Sequence, residues 1–72
     1  MSAGIKLLDV VALTEDLPLC KLRRGQVGTV VELLAPDVFE IEFTDNDGRA
    51  FASLALRADQ LMVLHYQPLE AA

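Results

Sequence analysis

The chain has 72 residues, room for one domain and a small core, because a chain this short hides only about 60% of the surface its unfolded form exposes. Eleven acidic residues against six basic ones leave a net charge of −5, which sets the overall field against nucleic acid and other polyanions. A lone cysteine, Cys20, and a lone histidine, His65, exclude a disulfide framework and, within one chain, the four-ligand sets of structural zinc.

Residues 1–12 carry Lys6 and Asp9 inside a short apolar stretch and lack the ordered basic, apolar and small-residue regions of a signal peptide. No stretch approaches the roughly 20 apolar residues of a membrane span. The expectation is a soluble cytoplasmic protein with no membrane partner and no cofactor. Leu7 to Leu13 (LLDVVAL) is short, apolar and valine-rich, and reads as the first strand. Pro18 cannot donate to a ladder, so Thr14 to Gly25 is a long loop. Val27 to Leu34 is the second strand, and Ala35-Pro36-Asp37 turns the chain. Val38 to Thr44 (VFEIEFT) alternates strictly, which sends Phe39, Ile41 and Phe43 to one face and Glu40 and Glu42 to the other. Asp45-Asn46-Asp47-Gly48 tolerates the backbone of a hairpin turn, so Arg49 to Leu56 folds back antiparallel. Arg57 to Gln60 is a single helical turn, Leu61 to Leu64 a closing strand, and 66–72 a frayed tail after one domain, 1–65.

Five short antiparallel strands, with one helical turn before the last, predict an all-β fold, a small SH3-like barrel, since a chain this short cannot supply a helix layer and closure removes exposed edges. The ordered set DVVALTEDLP (Asp9 to Pro18), LRRGQVGTVVE (Leu22 to Glu32), FEIEF and ADQL (Ala58 to Leu61) resembles a family of small bacterial proteins catalogued as a domain of unknown function. The resemblance implies an SH3-like barrel and no established activity. RGQVGTVVE is also similar to part of the KOW element of ribosomal and transcription-factor barrels.

The glycines of that stretch read as structural. Gly25 takes a positive-φ turn position, and Gly28 lets the strand bend or another backbone come close. A phosphate-cradling loop needs more glycines and a helix start, and the GXXG clamp of KH domains works in a different fold. Lys21, Arg23 and Arg24 form a basic trio that is either a solvated loop balanced by Glu15 and Asp16 or an anionic-ligand contact, the latter giving a KOW-like RNA-binding barrel. RNA readers interleave aromatic residues, and alternation leaves only Tyr66 and Phe51 for that purpose. No catalytic constellation is present: His65 is isolated in sequence, Cys20 reads as a buried or idle thiol, and Glu40 and Glu42 face solvent.

With 53% hydrophobic residues, the chain carries more apolar surface than one small core hides, and exposed patches of that kind mark protein interfaces. The expected interface is an outward apolar band of Val10, Ala12, Val30, Leu54 and Leu56, docking on a second copy or another protein. The alternative is that the 14–24 loop covers this band with Leu17, Leu19 and Leu22. The function expected is a non-catalytic interaction module: an accessory subunit, adaptor or inhibitor-type partner. An acidic ridge of Glu40, Glu42, Asp45 and Asp47 would suit a basic partner.

Overall fold

The computed structural model describes residues 4–68. Five strands, β1 (Val10–Leu13), β2 (Val27–Ala35), β3 (Val38–Thr44), β4 (Ala50–Arg57) and β5 (Leu61–Val63), form one antiparallel sheet in the order β4-β3-β2-β1-β5. Among the described residues, helical structure is limited to two 3₁₀ turns, Pro18–Cys20 and Ala58–Gln60. The fold is all-β, with a short helical turn before the last strand as the sequence predicts.

The period-2 pattern of β3 organises the core. Phe39, Ile41 and Phe43 are buried on one face, and Glu40 and Glu42 lie half-buried on the other. In register with the inward residues are Val30 and Leu54 beside Ile41, Leu56 beside Phe39, and Gly28 and Ala52 beside Phe43. The buried cluster adds Val11 and Leu13 from β1, Leu61 from β5, Ile5 and Leu22, so all five strands contribute to it. Each such side chain contributes about 1.5–3 kcal/mol on leaving water, which is how a short chain holds its sheet together.

The first strand begins three residues later than its apolar run suggests. Residues Lys6 to Asp9 form a turn in which the Asp9 N–H donates to the Lys6 carbonyl at 3.1 Å and Asp9 Oδ2 accepts from the Lys6 N–H at 2.8 Å. Leu8 stands at φ 72°, a left-handed conformation that costs a leucine about 1–2 kcal/mol. The side chains of Leu7 and Leu8 are consequently exposed on a turn, although the Leu8 N–H still donates to the Val30 carbonyl of β2 at 2.8 Å. The Asp45 turn is as expected: its carboxylate accepts from the N–H groups of Asp47 and Arg49, and Gly48 takes φ 79°.

Gln60, buried in the second 3₁₀ turn, links distant segments. Its Oε1 accepts from the Arg57 N–H at 2.9 Å, its Nε2 donates to Glu15 at 3.4 Å, and its carbonyl accepts from the Thr14 N–H at 3.0 Å. The exposed Arg57–Asp59 ion pair at 3.0 Å beside it is worth little.

Candidate functional site

The expected apolar band is not where the sequence reading puts it. Val30 and Leu56 are buried in the core, and Leu54 packs against it. Register explains this, since Val30 pairs with Ile41 and Leu54 pairs with the same residue from the other side, so all three share the inner face. Val10 and Ala12 do lie on the outer face, opposite Thr29 and Val27. Even so, Ala12 is covered, because its small side chain sits between Val27 and Met62 in register. The long loop closes one end of the core. Leu22 is buried and Leu17 packs against the cluster, whereas Leu19 points wholly into solvent.

Apolar surface is exposed instead on the hairpin formed by the second half of β2 and the start of β3. Residues 31–35 are exposed without exception, Val31 at 39%, Leu33 at 54% and Leu34 at 45% among them. Two register shifts make this possible. Between Val30 and Glu32, and again between Leu33 and Ala35, β2 has a residue with no partner on β3. Each extra residue shifts the alternation by one, so Val31 and Leu34 have no partner on β3, Glu32 stands on the outer face opposite Glu40, and Leu33, although opposite Phe39, remains exposed. The result is an arm whose aliphatic side chains meet water on both faces. The adjacent Val30-Val31 pair was visible in sequence as apolar on both faces, but a bulge has no hydropathy signature.

The outer face of the sheet beside the arm is acidic. Glu32 stands directly opposite Glu40, and Glu42 lies one step further along β3. Glu40 accepts from the Ser53 hydroxyl. Like charges facing each other across a ladder oppose folding slightly. Replacing Glu42, which sits opposite Thr29 and Ser53, by alanine is therefore nearly silent for stability.

Lys21, Arg23 and Arg24 are all exposed at the opposite end of β2. The Arg24 N–H donates to Asp16 Oδ1 at 2.8 Å and the Arg23 N–H to Gln26 Oε1 at 3.1 Å. These bonds shape the loop through its backbone. Among the described residues no carboxylate pairs with the three cationic heads, so the expected balancing by Glu15 and Asp16 is met only by a backbone contact. Lys21 takes φ 59° and Gly25 φ 88°. A shallow cavity of about 430 Å³ lies beside the trio, lined by Leu13, Thr14, Arg24, Gly25 and Met62. A second, of about 500 Å³, is lined by Asp37, Val38, Arg57, Ala58 and Asp59. Cys20 and His65 are exposed and stand apart from both.

Among the described residues, no three of the His, Cys, Asp and Glu side chains converge on a metal position, and no helix is long and apolar enough to cross a membrane. The family model described as Domain of unknown function (DUF4926) matches residues 7–63. The chain belongs to the DUF4926 family. That span runs from the Leu7 turn through β5, so the DUF4926 match contains the whole sheet, the basic trio and the exposed arm. No match was found among curated proteins or among solved structures.

Proposed function

We propose that this DUF4926 chain is a small non-catalytic interaction module, an accessory subunit, adaptor or inhibitor-type partner, that docks on another protein through its β2–β3 arm. The observation that supports this most is that every residue from 31 to 35 is exposed, with Val31, Leu33 and Leu34 among them. Contiguous aliphatic surface on a folded element is costly to leave in water and is characteristic of protein interfaces. A strand order with the last strand flanking the first supports an SH3-like arrangement of the sheet, a frame that leaves such a hairpin free to project.

The test is co-purification of the untagged chain from its native cell beside the Leu33→Asp/Leu34→Asp double variant. Both leucines are already in solvent, so the variant stays folded while captured protein is lost. Apolar docking holds or tightens as salt rises. Capture that is undiminished by the double variant would remove the arm from the interface.

A second reading, a KOW-like RNA-binding barrel, is favoured by the three unpaired cationic heads at Lys21, Arg23 and Arg24. It lacks a stacking platform at that site, since Phe51 stands on β4 at the far side of the sheet. Arg23→Glu/Arg24→Glu abolishes a salt-sensitive RNA complex if this reading holds, and leaves every interaction intact if the arm carries the function.

A further inference from the structure

We propose that the surface which docks on the β2–β3 arm is a basic face of another protein, apolar at its centre and ringed by lysine or arginine. This rests on the arm reading above and names the chemistry of the partner. The exposed side chains of Val31, Leu33 and Leu34 make the site, and the charge around them indicates what covers it. From Gly25 to Gly48 the chain has six carboxylates and no lysine or arginine. Four of the six, Glu32, Asp37, Glu40 and Glu42, belong to β2, β3 and the turn joining them. Two cations stand nearby. Arg57 lies opposite Val38 but is paired with Asp59 at 3.0 Å, and Lys6 shares its turn with Asp9, so neither reverses the sign.

Carboxylate and aliphatic side chains are interleaved on the arm. Glu32 lies between Val31 and Leu33 in the chain and directly opposite Glu40, and among the described residues neither carboxylate is paired with a cation. Within the monomer this facing pair only opposes folding, whereas a cationic partner turns the same charges into attraction. The apolar part continues at the base of the arm, where the bond from the Leu8 N–H to the Val30 carbonyl seats the exposed Leu7 and Leu8 beside β2. Charge also argues against other occupants. Arm against arm in two copies brings like charges together, and nucleic acid or an anionic lipid surface is repelled. The basic loop of a second copy is a poor match, since its three cations, Lys21, Arg23 and Arg24, share Thr14 to Gly25 with two carboxylates, Glu15 and Asp16. In a complex of the proposed kind the carboxylates set how fast it forms, and the aliphatic contacts set how long it lasts.

The experiment follows binding kinetics of the full chain with synthetic peptides that alternate leucine with lysine, leucine with glutamate, or serine with lysine. The leucine–lysine peptide binds, the other two do not, and its association slows as salt rises. Leu33→Ser/Leu34→Ser, which leaves the charge alone, abolishes binding. Glu32→Gln/Glu40→Gln slows association roughly three- to tenfold and leaves dissociation nearly unchanged. That variant keeps its fold, because it relieves a repulsion and glutamine still accepts from the Ser53 hydroxyl. Glu15→Gln/Asp47→Asn removes as many charges away from the arm and has a smaller effect. Failure of the leucine–lysine peptide to bind up to millimolar concentration overturns the proposal. So does equal binding of either other peptide, or an association rate indifferent to Glu32→Gln/Glu40→Gln. A solution mass that rises with concentration, and no longer does so in Leu33→Ser/Leu34→Ser, overturns it in favour of a second copy. Loss of native capture in Leu33→Asp/Leu34→Asp stands whatever the peptides do, so the partner's charge and the arm's role fail separately.

Discussion

Phe43→Ala is expected to lower the unfolding free energy of the protein by about 3–5 kcal/mol. The ring is fully buried near the C-terminal end of β3, and truncating a buried phenylalanine costs about 3–5 kcal/mol. A domain of 72 residues has about 4–11 kcal/mol in total, so this one change removes a large share. The neighbours cannot collapse into the gap, because the residues flanking Phe43 across the ladder are Gly28 and Ala52, which have nothing to extend. Urea denaturation followed by circular dichroism gives the number. Glu42→Ala, one residue away on the opposite face, is the control and leaves the midpoint in place. Equal losses in the two variants would reverse the assigned faces of β3.

Gly28→Ala is the second large effect, and for the opposite reason. A Cβ at position 28 would lie 2.7 Å from Ile41 Cγ2, 3.0 Å from the Glu42 carbonyl oxygen and 3.0 Å from Phe43 Cδ1. Ile41 and Phe43 are fully buried and the carbonyl is part of the ladder, so none can withdraw cheaply. Overpacking of this kind costs about 1–3 kcal/mol, more than the 0.5–1 kcal/mol alanine ordinarily gains over glycine in a strand. A small domain loses about 4–8 °C in Tm for each kcal/mol. Since the added methyl meets the Phe43 ring, Phe43→Leu makes room for it. The double variant Gly28→Ala/Phe43→Leu is therefore less unstable than the two single losses added together. Strict additivity in thermal melts would show that the clash is with Ile41 and the Glu42 carbonyl and not with the ring.

How far these features could be read from the residues depends on whether they are local. The β3 strand, the Asp45 turn, the positive φ of Gly25 and the close approach at Gly28 all follow from short-range alternation or from glycine chemistry, and the structure has each of them. Leu7 and Leu8 do not follow, because Asp9 captures the Lys6 N–H and bends the chain where hydropathy alone continues a strand. The outward apolar band lies elsewhere than expected for a related reason. Val30 and Val31 are indistinguishable in sequence, and only the partner strand decides that the first is inside and the second is extra. A fully buried residue and a bulged one can be the same amino acid. Gln60 was legible as part of a helical turn and not as a link to Glu15 and Thr14, which lie 45 and 46 positions earlier in the chain.

The pairing of β1 with both β2 and β5 also governs the order in which the molecule can be made. As the chain leaves the ribosome, β2, β3 and β4 meet their neighbours through short turns and can zip up in sequence. Val11 to Leu13, synthesised first, keep one flank bare until Leu61 to Val63 arrive about fifty residues later. Closing so wide a gap is entropically slow. While the chain grows, β1 thus keeps one side unpaired until β5 arrives to cover it.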